Sequence, residues 1–179
     1  MSTHTPAWTI GVEEEYQIID PTTRALSADA ARLLSYIPSP SPLLASAEIQ
    51  QSQIEMATPV CNTLAEVRTA LQQARRTVIA AAEKAKRWIA AAGTHPFSHW
   101  QHQQVTAQPR YQEVYQMYQH LAREQVIFGC HVHLGCPDRE RAIQVMNRLR
   151  PWLAPVLALA TNSPFWLGED TGYASFRTM

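Results

Sequence analysis

Glycine is scarce in this sequence, six residues in 179, where an average chain carries roughly 7%. A glycine-rich linker or collagen-like chain is excluded, and each glycine position becomes informative. Three cysteines, Cys61, Cys130 and Cys136, are too few and too scattered for a disulfide framework, and no pair forms C-x-x-C. Reduced, partly buried thiols of a cytosolic protein are expected. Charged residues are only 17% of the chain, against roughly 25% in typical domains. Fifteen Lys and Arg cancel fifteen Asp and Glu, which excludes a polybasic nucleic-acid binder and an acidic tail. Long hydrophobic runs are missing: Ile89–Ala92 and Pro155–Ala160 fall far short of the ~20 residues of a membrane helix. The first residues lack a basic segment followed by an apolar core, so no signal peptide is read. The expectation is a cytoplasmic protein with neither a nucleic-acid nor a membrane partner.

Hydrophobic residues supply 46% of the chain, too many for disorder. A chain of this length is read as one domain, burying roughly 70% of the surface its unfolded form exposes. Trp8–Ile19 alternates, with Ile10, Val12, Tyr16 and Ile18 on one face and Gly11, Glu13, Glu15 and Gln17 on the other, which predicts a strand. Ala28–Tyr36 reads as a short helix, and Pro38, Pro40 and Pro42 mark a loop. Ser52–Val60 reads as a second strand that Pro59 ends. Thr63-Leu-Ala-Glu66 matches a capping box ahead of a helix carrying Val67, Leu71, Ala74 and Val78. Trp88–Ala92 either extends that helix or starts a strand. One helix is expected over Pro109–Arg123, an alternating strand over Val126–Gly135, and a helix after an Asp138 cap. The tail from Asn162 reads as loop.

Acids being few, their clustering matters. Glu13 and Glu15 share a strand face about 7 Å apart. Without a basic neighbour in that strand they suit a hard cation such as Mg2+; a solvated acidic edge is the bland alternative. Glu14 points to the opposite, otherwise apolar face. Glu55 shares a polar face with Gln51 and Gln53. Glu48 has the opposite parity in an unbroken strand, so it joins Glu55 only across a bulge or if that strand begins after it. His131 and His133 share a face beside Gly129 and Gly135. Metal ligation, substrate hydrogen bonding and a structural pair all remain open for them.

Five segments in order carry a resemblance: Ile10-Gly-Val-Glu-Glu-Glu-Tyr16, Ile54-Glu-Met-Ala-Thr-Pro59, Ala91-Ala-Gly-Thr-His-Pro-Phe97, Gly129-Cys-His-Val-His-Leu-Gly135, and Asn162-Ser-Pro-Phe-Trp166 with Asp170-Thr-Gly-Tyr173. Together they resemble the N-terminal half of the carboxylate–amine ligases, also called glutamate–cysteine ligase type 2. The resemblance implies an α+β fold: a curved, mainly antiparallel sheet backed by helices, like that of glutamine synthetase and the guanidino kinases. Members of that family are longer, so it implies that residues 1–179 are the N-terminal portion of a single catalytic domain, an incomplete half of the fold.

The resemblance further implies ATP-dependent amide-bond formation through an acyl phosphate. The cofactors would be ATP and Mg2+ or Mn2+, and the substrates a glutamate-like carboxylate and an amine such as cysteine. It places Glu13, Glu15, Glu48, Glu55 and His131 as metal ligands, and His133 and Arg177 as substrate-contacting residues. Two other readings stand beside it. One is a zinc hydrolase on His131 and His133, with His95, Glu13 or Glu15 as third ligand. The other is a non-catalytic half-module that pairs with another subunit, a homo-oligomer included.

Overall fold

A computed structural model describes residues 8–38 and 43–178 of the chain. Residues 1–7, Pro40, Pro42 and Met179 lie outside the described residues. The sequence alternation produces a long central strand, β1 (Thr9–Ile19), followed by a short helix, α1 (Ala30–Leu34). Strands β2 (Leu44–Ala47) and β3 (Gln53–Ala57) form a hairpin. The capped helix is α2 (Leu64–Ala85), and its end at Lys86, in the left-handed region, turns the chain into β4 (Trp88–Ala90). Thr63 Oγ1 accepts the Glu66 N–H at 3.2 Å, while Glu66 reaches back to Asn62 N–H, one residue earlier than a capping box predicts.

The sheet is antiparallel, in the order β2-β3-β1-β4. A fifth strand, β5 (Cys130–Gly135), also pairs with β1. Both β4 and β5 lie along the same edge of β1: β4 pairs with Gln17–Ile19 and β5 with Thr9–Glu14. The two diverge beside Glu15, whose N–H donates to the Gly129 carbonyl at 3.0 Å. An α+β architecture with an antiparallel sheet is thus what the structure has.

One sheet face packs on α1 and α2. Ile18, Leu33, Ile54, Met56 and Val78 are fully buried there, with Tyr16, Ala74 and Ala85 beside them. Val12, Cys61, Val67 and Ala70 form a second cluster toward the start of β1. Glu14 lies on this same apolar face. Its carboxylate accepts from the Tyr16 hydroxyl and takes both Nε and Nη2 of Arg75, from α2. It is a buried, paired acid rather than part of a solvated edge.

Three segments depart from expectation. The single helix over 109–123 is two, α3 (Pro109–Tyr118) and α4 (His120–Glu124), broken at Gln119 with φ 49°. The strand over 126–135 begins only at Cys130, because Val126 and Phe128 are instead buried and the Phe128 N–H donates to the Gly93 carbonyl. The tail carries a small hairpin, β6 (Phe165–Trp166) and β7 (Glu169–Asp170), turning at Leu167 and Gly168, both with positive φ. Between β5 and that hairpin lie α5 (Arg139–Leu149), capped by Asp138 as expected, and α6 (Leu153–Ala160). None of their residues is buried, and large apolar ones such as Ile143, Met146, Leu153 and Leu159 are exposed.

Candidate active site

The sheet face opposite α2 carries the acids. Register places Glu15 directly across from Glu55, Ser46 across from Glu55 on the other side, and Glu13 across from His131. His133 is opposite Gly11, which leaves the imidazole room. Glu48 joins this face. It does so by one of the two routes that parity leaves open: the strand of Glu55 begins after Glu48, because the chain reverses between β2 and β3 and β3 begins only at Gln53. A cavity of about 180 Å3 is lined by Glu15, Glu48, Gln53, His131 and Arg177.

Each side chain has a protein partner at present. Glu13 Oε2 receives His133 Nε2 at 2.9 Å and lies 3.4 Å from His131 Nδ1. The hydrogen bond from His133 holds the Glu13 carboxyl below its ordinary pKa, against partial burial. Glu15 Oε2 accepts the Gln53 amide at 2.7 Å and the Gly129 N–H. Glu48 accepts the Ile49 N–H at 3.1 Å, and Glu55 accepts the Ser46 hydroxyl at 3.3 Å. Burial, reinforced by neighbouring carboxylates, raises the pKa of both Glu48 and Glu55. Those neighbours are Glu15 and Glu13 for Glu48, and Glu13 and Glu48 for Glu55.

The donor chemistry therefore fits a hard divalent cation: burial and neighbouring carboxylates raise the pKa of Glu48 and Glu55, and no Lys or Arg forms an ion pair with either among the described residues. In these rotamers, however, no three His, Cys, Asp or Glu side chains among the described residues close on one point. His95, a possible third zinc ligand, is elsewhere. It is buried, with Nε2 on the Arg24 carbonyl and Nδ1 accepting the Ser98 N–H.

Arg177 reaches the acid face from the tail. Its side chain passes between Gly93 and Gly129: a Cβ on Gly93 would lie 3.2 Å from Arg177 Cδ, and one on Gly129 3.3 Å from Nη2. A Cβ on Gly129 would also meet the His131 ring at 2.9 Å. The glycine therefore admits a side chain of the protein itself. The Arg177 Nε is buried without a hydrogen-bond partner, an unused donor beside the carboxylates. The sequence reading missed Gln53 and the Gly129 N–H as partners of Glu15. Only the position of Gln53, two residues from Glu55 on the polar face, signalled the first.

The glutamate–cysteine ligase family 2 (GCS2) model matches residues 9–179. A protein of Rhodopirellula baltica named "Putative glutamate–cysteine ligase 2" is 47% identical over 174 residues, covering 94% of this chain and 47% of its own length. Proteins with the same name in Herpetosiphon aurantiacus and Roseiflexus castenholzii are 44% and 40% identical, covering 96% and 99% of this chain. They are covered over 45% and 48% of their own lengths. The chain thus spans about half the length of the curated relatives it matches.

Proposed function

The chain belongs to the glutamate–cysteine ligase family 2, and from that premise we propose that it carries the acid-lined half of the active site of an ATP-dependent carboxylate–amine ligase. The observation that carries this reading is the set of carboxylates gathered from β1, β3 and the end of β2 beside a free arginine donor. In the proposed reaction a substrate carboxylate attacks the γ-phosphorus of ATP and releases ADP. The amine nitrogen then attacks the acyl carbon, phosphate leaves, and the amine loses a proton.

Glu13, Glu15, Glu48, Glu55 and His131 are the residues that would hold Mg2+ or Mn2+. When bound, such an ion supplies charge neutralisation for phosphate oxygens. Arg177 receives a carboxylate or acyl-phosphate oxygen, because its planar fork matches such groups and its Nε is unsatisfied. His133 shares Glu13 with His131 and, beside Gly11, would contact substrate through the ring nitrogen that Glu13 does not use. The glutamate-like carboxylate and the cysteine-like amine are the substrates that the family name favours. The curved, glutamine synthetase-like form of the sheet belongs to the same proposal. The zinc alternative loses one of its candidate third ligands, because His95 is engaged elsewhere.

The test is a thermal melt with added Mg2+ or Mn2+. Binding to the folded form stabilises it by about 2.7 kcal/mol at a hundredfold excess over the dissociation constant. Glu13→Gln, Glu15→Gln, Glu55→Gln and His131→Ala each should diminish that increment. Glu14→Gln should lower the baseline yet leave the increment intact, since its side chain is on the other face. An increment lost equally in Glu14→Gln would remove the acid face as the metal site.

A further inference from the structure

At the β4 end of the acid-bearing face lies another cavity, about 370 Å3, inside the roughly 300–1,000 Å3 range of small-molecule sites. Ile19, Trp88, Ala90, Ala92, Phe97 and Phe165 make its walls. Gln17 is beside them, buried, its amide tied to the Ala92 carbonyl at 3.1 Å. A single charged side chain reaches the lining, that of Arg24. Its guanidinium carbon lies over the Trp88 ring, 4.2 Å from the ring centre.

The local backbone holds this arginine in place. Arg24 adopts φ 65°, a conformation that costs a non-glycine residue on the order of 1 kcal/mol or more and persists only where the surroundings enforce it. Here its N–H donates to the Asp20 carbonyl at 2.8 Å, and its own carbonyl accepts from His95 Nε2 at 3.0 Å. The His95 ring is fixed in turn by the Ser98 N–H on Nδ1, and the Ser98 hydroxyl accepts the Leu26 N–H. Burial lowers the His95 pKa despite the Arg24 carbonyl, so the neutral ring keeps one donor and one acceptor, as both bonds require. The nearest acid in sequence, Asp20, is occupied by the Thr22 and Thr23 N–H groups and by Arg87 at 3.6 Å. Among the described residues the Arg24 guanidinium has no carboxylate partner within 4.0 Å.

We propose that this cavity binds a small amphipathic carboxylate, with a flat or branched apolar body between Trp88 and Phe97 and the carboxylate on Arg24. A guanidinium over an aromatic face keeps its N–H donors in its own plane, where a carboxylate meets them in bidentate fashion. The cavity is distinct from the acid cluster but joined to it. Ala92 and Asn162 line both this cavity and the next, which reaches Glu15 and Arg177. Binding here needs neither metal nor nucleotide, so it stands or falls separately from the ligase reading.

The experiment is an NMR titration of the metal-free chain with 3-phenylpropionate and, in parallel, with its neutral amide. The expected result is saturable binding of the acid, with shifts centred on Ala90, Ala92 and the Trp88 indole. Arg24→Gln should weaken the acid about tenfold or more, the loss of one charge-assisted hydrogen bond, without changing the amide. Arg24→Lys should restore part of it, and Ala92→Leu, which fills the cavity, should abolish both. Equal affinity of acid and amide, indifference to Arg24→Gln, shifts centred on Gly129 and Arg177, or no binding at all would each overturn the proposal.

Discussion

The three consecutive glutamates show how far one residue's neighbours decide its chemistry. Glu13 and Glu15 face histidines, an amide and another carboxylate, while Glu14 is buried against Tyr16 and Arg75. Burial alone would raise the Glu14 carboxyl, but hydrogen bonds from Arg75 and Tyr16, with the guanidinium's charge, hold it below its ordinary value. A carboxyl depressed by folding contributes stability above its unfolded pKa and loses it as pH falls through the folded one. Arg75→Ala leaves the buried carboxylate with the Tyr16 hydroxyl as its remaining partner and no compensating charge. It should cost about 2 kcal/mol at neutral pH, a figure kept low because the Arg75 side chain is itself half exposed. The cost should shrink as pH falls below the range where Glu14 ionises. Urea denaturation of wild type and variant across that range measures it, and a cost independent of pH would mean that Arg75 acts by packing alone. Parity in the sequence identified Glu14 as the odd member of the triplet. Its partner lies sixty-one residues away, a separation that no local pattern encodes.

At the level of elements, the sequence was legible wherever one face of a strand or helix is buried. The alternation in β1 and the stripe of α2 follow directly from the residues that end in the core. Legibility failed where a tertiary contact overrides the local period. Glu48 was read as out of phase with Glu55 because nothing in Glu48–Ser52 announces a hairpin by glycine or proline. Val126 and Phe128 fit a strand pattern, yet they are buried beside the Gly93 segment. The helix over 109–123 breaks at Gln119, with φ 49° and ψ −118°. This conformation favours glycine, and no glycine marks it. Gln119→Gly should therefore stabilise the chain by up to about 1 kcal/mol, the relief of local strain outweighing the extra freedom of the unfolded state. Chemical denaturation gives the sign; destabilisation would mean that α3 and α4 gain more from the glutamine side chain than the backbone loses.

Across the whole molecule, burial is lopsided. Tyr16, Ile18, Ile54 and Met56 are closed over by α1 and α2, whereas Val132 is 64% exposed, Trp152 62% and Leu159 90%. Strand β5 pairs only with β1 among the described residues. Its other edge carries no Lys, Pro or bulge to discourage pairing. Exposed apolar surface of this extent, next to an unguarded strand edge, is rare on a stable monomer, and the curated relatives are about twice as long as the stretch matched here. The chain taken alone should therefore associate: light scattering should give an apparent mass that rises with concentration, and an apolar dye should bind. Val132→Lys guards the edge and Leu159→Glu breaks the helix patch. Each should reduce both signals, and the two together should return the chain to a monomer with an unchanged melt, because neither side chain is in the core formed by β1, β3 and α2. A wild-type chain that is monomeric at every concentration and indifferent to the dye would show that the apolar surface of β5, α5 and α6 is covered within the chain itself.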